Sequence, residues 1–266
     1  MIHETAVIDK GAELGTNVEV GPFTCIMDGA VIGDGCTIGP QATIFGSVTM
    51  GSGCEVHAGA VLGDTPQDVG FKNTSSSVAI GNDCVIREGV TIHRGTEEGS
   101  ETVVGDECFL MAFSHLAHNV VLANNVILAN GALLAGYVEV GERAFVSGNV
   151  GVHQFVKIGR LAMLGGGAVA TKDVPPFCML KNAEHNTVIG LNVVGMRRSG
   201  MSFEERKAVQ RAFKVLFLSG FNASQAKDRL EELFPEGPAS EFAAFITAST
   251  RGLCACAIQR NSALDV

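Results

Sequence analysis

From Val104 to Ala170 an aliphatic residue returns every sixth position without a slip, as at Val104, Leu110, Leu116, Leu122, Leu128 and Leu134. No α-helical face has this period, because helical stripes return at three and four residues. An aliphatic hexad is the mark of a parallel β-helix, in which each anchor points inward from a short strand and the chain then turns. The same spacing starts at once, at Ile2, Ile8 and Leu14, and continues to Leu62. It then fails at Asp68 and Thr74, resumes at Ile80, Ile86 and Ile92, fails at Glu98 and restarts at Val104. Two loops, near residues 64–77 and 94–101, are therefore expected to leave an otherwise continuous solenoid.

If three hexads make one 18-residue coil, and each loop is an insertion within a hexad, then Leu62, Ile92, Leu116, Leu134 and Val152 share one edge. Both loops leave from that edge, which also carries His93, His118, Gly136 and His153. Residues one coil apart stack, so His118, Gly136 and Gln154 form one column, while Ala117, Ala135 and His153 form the next. Neighbouring strands lie about 4.8 Å apart. The backbone of Gly136 is then within reach of a group held at His118. Loops and polar residues gathered on one edge point to a site there.

The composition agrees with a solenoid: 33 glycines, no tryptophan and one tyrosine suit many turns and small core residues. Cys36, Cys54, Cys84 and Cys108 each lie four residues after an anchor, so they share the inward face of the next one. A thiol there is a small hydrophobe, and the expected compartment is the reducing cytosol. No signal peptide is read at the N-terminus, and no apolar run is long enough to span a bilayer. With a net charge of −9 the chain is not expected to bind nucleic acid.

After residue 172 the regular pattern is expected to end at Asp173-Val174-Pro175-Pro176, because proline removes a strand donor. An irregular link then covers 173–201. Ser202-Phe203-Glu204-Glu205 reads as a capping box that opens a helix. Two more helices follow, over Ala223 to Phe234 and from Ser240 to about Thr250. Residues 202–253 would thus form a helical cap over the end of the 1–172 solenoid, with 254–266 as a tail. The solenoid carries 18 acids against 8 bases, whereas 197–214 holds Arg197, Arg198, Arg206, Lys207, Arg211 and Lys214 against two glutamates. By itself that is what a solvated helix face carries. The sharper reading is a docking patch for an acidic partner.

Several segments then appear in a telling order: Gln67-Asp68, Thr91-Ile92-His93-Arg94-Gly95, His115-Leu116-Ala117-His118, Val152-His153-Gln154-Phe155, Gly190-Leu191-Asn192 and Ser249-Thr250-Arg251-Gly252-Leu253. With the hexads and the cap, they resemble the UDP-N-acetylglucosamine O-acyltransferase family, which begins lipid A synthesis. The resemblance implies a left-handed β-helix and a homotrimer with active sites between subunits. It also implies transfer of a 3-hydroxyacyl group from acyl carrier protein to the 3-hydroxyl of UDP-N-acetylglucosamine, with no cofactor and no metal. On this resemblance His118 matches the general base and Gly136 the backbone oxyanion donor. Asp68, His93, His115, His153, Gln154 and Asn192 match substrate positions, Arg198 a nucleotide-phosphate contact, and Gly166 and His185 positions along the acyl chain.

The chain departs from the family pattern at Gly70, Tyr137, Val194 and Ser199, which stand in place of a lysine, a histidine, a glutamate and an arginine. Lys72 is a possible substitute for the lysine, and Asn119 stands where an acid often supports the base. Three other readings remain open from the residues. His93, His115 and His118 are the ligand type of a zinc carbonic anhydrase on the same kind of helix. A related acyltransferase would use a 3-amino UDP-sugar. A scaffold solenoid would lack a histidine cluster on the edge.

Overall fold

The computed structural model describes residues 1–258. Two- to five-residue strands build three parallel faces along one axis, and each face gains one strand per coil. The first runs from Val7–Ile8 through Val61–Asp64, Thr91–His93, His115–Leu116 and Leu133–Leu134 to Val169–Ala170. Leu62 pairs with Ile92, Ile92 with Leu116, Leu116 with Leu134, and Leu134 with Val152. The register expected from the interrupted hexads is therefore the observed one. Both loops lie between the first face and the second, before Ser77–Ile80 and before Glu101–Val104.

Alternation explains the core. Anchors such as Leu62, Ile92, Leu116 and Leu134 are fully buried, and the residue before each points outward. Cys36, Cys54, Cys84 and Cys108 fill the inner corner between faces, each giving its thiol proton to a carbonyl of the next coil at 3.1–3.2 Å. All eight cysteines are free.

The prolines at 175–176 do not end the coil. Val174 bridges Ile158, Cys178–Leu180 pairs in parallel with Met163–Leu164, and His185 bridges Val169, so one more turn of the solenoid is completed. The reason lies in the turn. Pro176 directly precedes Phe177, whose φ is +63°, just as Pro22 precedes Phe23 and Pro40 precedes Gln41 at φ of +58° and +57°. Proline at the second turn position and a left-handed third residue make a type II turn, which asks for no N–H from the proline. The segment 173–201, expected to be irregular, also holds Thr187–Leu191, antiparallel to Cys178–Leu180, and a short helix α1 (Val193–Arg198). Ala255–Cys256, in the tail, adds a parallel strand to Thr187–Leu191. The rest of that tail, 259–266, lies outside the described residues.

The cap holds α2 (Phe203–Leu218), α3 (Ala223–Leu233) and α4 (Glu241–Ala248). The capping box at Ser202 and Glu205 is formed. Three contacts lock the cap to the last coil. In the first two, Phe177 meets Phe242 with ring centroids 5.8 Å apart, and Arg160 grips both oxygens of Glu241. The third is Asp173, which is fully buried. Its carboxylate accepts from Lys157 N–H at 2.7 Å and from the Ser249 hydroxyl at 2.6 Å, joining the solenoid to the chain beyond α4. Removing it strands buried donors on both sides. Asp173→Ala should therefore lower unfolding stability by about 3 kcal/mol, measured by urea denaturation. A loss under about 1 kcal/mol would show that the cap is held elsewhere.

Candidate active site

The corner between the first and second faces is built by the residues just after each anchor. His118 follows Leu116 there, Gly136 follows Leu134, and Gln154 follows Val152. The His118 ring packs closely against the glycine. A Cβ placed on Gly136 would come within 2.3 Å of His118 Cε1 and 2.5 Å of Nε2. Gly136 is thus the one residue that lets the imidazole pack on the backbone of the next coil. Its carbonyl accepts from Phe155 N–H at 3.0 Å, whereas its own N–H has no hydrogen-bond partner among the described residues. His118 and Gly136 line a cavity of about 420 Å³ together with His115, His153, Gln154 and Gln67. The first loop reaches over it, and Asp68 Oδ2 stands 3.8 Å from His118 Nε2.

The imidazoles beneath are kept neutral. Burial pushes the His115 pKa down to about 4, and burial also lowers that of His93, whose ring meets His115 edge to face at 5.0 Å. His115 Nδ1 is tied to Thr91 Oγ1 at 2.7 Å. Two uncharged rings therefore support the floor without adding positive charge beside His118.

The loops are stapled to each other and to this corner. Arg94 donates to Thr74 O at 2.6 Å and to Ser76 Oγ at 3.1 Å, and stacks over Phe71, so the second loop holds the first. Thr96 donates from N and from Oγ1 to Asn119 Oδ1 at 3.1 and 3.0 Å. Arg94 and Thr96 were not among the expected site residues, and Asn119 was expected only as the neighbour of the base. Their positions in the chain are legible, but not which loop atom docks on which coil. Lys72 lies in an adjoining cavity with Asp68, Gly70, Thr96 and Tyr137.

From this corner an apolar strip leads across the first face, through Leu133, Gly151 and Val169, which line the same cavity. Its far end is reached by His185, which bridges Val169. Gly166 lies at the next corner, where a Cβ would meet only Gly148 O, at 3.8 Å. Asn192 and Arg198 are elsewhere. They line a cavity of about 560 Å³ on the third face, with Ile127, Phe145, Met163 and Ser199. Asn192 is the N-cap of α1, accepting from Gly195 N–H at 2.9 Å, and it donates to Leu161 O at 2.9 Å. One chain does not bring these two residues to His118.

Comparison with known proteins agrees with this architecture. Residues 11–46, 29–64 and 101–136 match the model of the bacterial transferase hexapeptide, and 173–254 match that of UDP N-acetylglucosamine O-acyltransferase domain 2. The acyl-[acyl-carrier-protein]--UDP-N-acetylglucosamine O-acyltransferase of Alkalilimnicola ehrlichii is 46% identical over 95% of this chain and 98% of its own length. The solved UDP-N-acetylglucosamine acyltransferase of Campylobacter jejuni superposes with a TM-score of 0.90 at 37% identity, covering 96% of this chain and 99% of that one. That of Francisella novicida gives 0.93 at 31% identity, covering both chains fully. The shared fold is the left-handed parallel β-helix with C-terminal helices. With relatives this similar along nearly the whole chain, the protein is an acyltransferase that belongs to the acyl-[acyl-carrier-protein]--UDP-N-acetylglucosamine O-acyltransferase family.

Proposed function

We propose that this enzyme transfers a 3-hydroxyacyl group from acyl carrier protein to the 3-hydroxyl of UDP-N-acetylglucosamine, the first step of lipid A synthesis, in the cytosol. His118 is the general base. As the sugar oxygen attacks the thioester carbonyl, its proton passes to His118 Nε2. The oxyanion that forms is met by the N–H of Gly136. The C–S bond then breaks, and His118 returns the proton to the departing thiolate of the carrier. The observation that carries this reading is the imidazole seated on Gly136 beside that unpartnered N–H. Asp68, His153 and Gln154 orient the reacting groups, and the strip of Leu133, Gly151 and Val169 takes the acyl chain toward Gly166 and His185. Family membership leaves the zinc anhydrase and scaffold readings without support.

His118→Ala should lower kcat by roughly a hundred- to ten-thousandfold while the thermal melt stays close to wild type. Product mass from hydroxyacyl carrier proteins, with UDP-N-acetylglucosamine and its 3-amino analogue offered side by side, identifies the acceptor. Near-normal turnover in folded His118→Ala would remove this base from the mechanism.

In this reading the active site is completed by a second copy in a homotrimer, which the separation of Asn192 and Arg198 from His118 in one chain supports. The Arg198 side chain has no ion pair or hydrogen bond among the described residues, so its guanidinium is available for the nucleotide phosphate. A contact remote from the reacting carbon binds ground and transition states alike. Arg198→Ala should then raise the Michaelis constant for the UDP-sugar more than it lowers kcat, and an unchanged constant would refute the assignment.

The carrier docks on the cap. Arg197, Arg206, Lys207 and Lys214 border a groove of about 630 Å³ floored by Met196 and Phe213. Arg211 does not line this groove; it lies over the Phe234 ring at 5.5 Å, as Lys207 lies over the Phe203 ring at 4.4 Å. The solenoid is acidic and repels an acidic carrier, so this rim decides the encounter. Arg197→Glu with Lys207→Glu should raise the Michaelis constant for the carrier alone. The defect should shrink with salt, because exposed charges are screened over about 8 Å at physiological ionic strength. A salt-independent defect, or none, would return these residues to an ordinary solvated face.

A further inference from the structure

Asn119, beside the base, is an amide where a carboxylate would be the stronger partner. Its Oδ1 is 3.1 Å from His118 Nδ1, and it also faces Thr96 N at 3.1 Å and Thr96 Oγ1 at 3.0 Å. A backbone N–H can only donate, so the atom opposite Thr96 N is the amide oxygen and not the NH₂ group. An amide oxygen can only accept. His118 Nδ1 must therefore carry the hydrogen, and in the neutral ring Nε2 keeps its lone pair. Thr96 spends its hydroxyl hydrogen on Asn119, so its oxygen accepts from Tyr137 Oη at 2.9 Å. Tyr137 is held in turn, edge to face on His118 at 5.2 Å and stacked on Phe155 at 5.0 Å. Both Asn119 and Tyr137 are left-handed turn residues, with φ of +59° and +60°.

We propose that Thr96 and Tyr137, acting through the Asn119 amide, are positioning residues that hold His118 in the Nδ1–H tautomer. The base is then competent only while the second loop is docked. This inference rests on the reading of His118 as base. A relay of neutral groups fixes the tautomer without adding negative charge to favour the imidazolium. The charged and titratable groups facing His118 are Asp68 from the first loop, His93 and His115 from neighbouring strands, Tyr137 from the next coil, His153 across the cavity, and Glu97, which is 3.5 Å from Tyr137 Oη.

The test uses the full-length enzyme with 15N-labelled histidine, whose ring shifts report the tautomer, and His118→Gln to assign the His118 signals. Asn119→Gly removes the amide without backbone strain, because glycine accepts a positive φ. It should abolish the preference for Nδ1–H and lower kcat by roughly ten- to a hundredfold, with Michaelis constants nearly unchanged. Asn119→Asp keeps all three acceptor contacts and adds a charge that favours the protonated ring. It should keep the tautomer and move the acidic limb of the kcat/KM profile to higher pH. Thr96→Val should reproduce part of the Asn119→Gly defect, and Thr96→Ser should restore wild-type behaviour. The relay is overturned if Asn119→Gly leaves the tautomer unchanged, whatever happens to kcat, or if Thr96→Val and Asn119→Asp both behave as wild type. An active His118→Ala would instead sink the base itself, whereas an inactive His118→Ala beside a fully active Asn119→Gly sinks only the relay.

Discussion

Coil rests on coil through parallel backbone hydrogen bonds, and each coil repeats the register of the one before: Leu116 on Leu134, Leu134 on Val152. That ladder sets the spacing of everything attached to it. A residue at a given point of the coil is carried to nearly the same lateral position one strand separation further on. His118 and Gly136 meet because they occupy the same point in successive coils, and the glycine leaves the space that the imidazole fills. The juxtaposition of His118 and Gly136 is thus a by-product of the repeat, with one side chain deleted.

What breaks the repeat supplies what the repeat cannot. Short outward side chains on a flat face cannot enclose a substrate, and two insertions on the same edge overhang it. The insertions have no core of their own. Arg94 holds the first to the second, and Thr96 holds the second to the solenoid through Asn119. Closing the end of the solenoid is a separate problem, solved by buried apolar contact between Phe177 and Phe242 and by the Asp173 carboxylate.

Much of this is legible in the sequence, and for a physical reason. The anchor pattern fixes which residues point inward, and polar gaps at Asp68 and Glu98 mark where the chain leaves the wall. From these the first face and the His118–Gly136 column follow without further information. Proline was read too simply at Pro175-Pro176: the chain had already used Pro22 and Pro40 at turns followed by a left-handed residue. The docking of Thr96 on Asn119 and Tyr137 was not legible, because periodicity says nothing about how an aperiodic loop folds back. Nor was it legible that Asn192 and Arg198 stand on a different face from His118, since helix α1 lies outside the repeat.

The chain has no tryptophan and a single tyrosine, and that tyrosine is Tyr137. Every other aromatic side chain is phenylalanine or histidine, so light absorbed beyond the phenylalanine band is absorbed at the corner that holds His118. The phenol touches His118, Phe155 and Thr96 at once. Its emission, and dichroism at wavelengths beyond the phenylalanine band, are therefore an intrinsic optical record of that corner. The one side chain that absorbs beyond the phenylalanine band thus stands edge to face against His118.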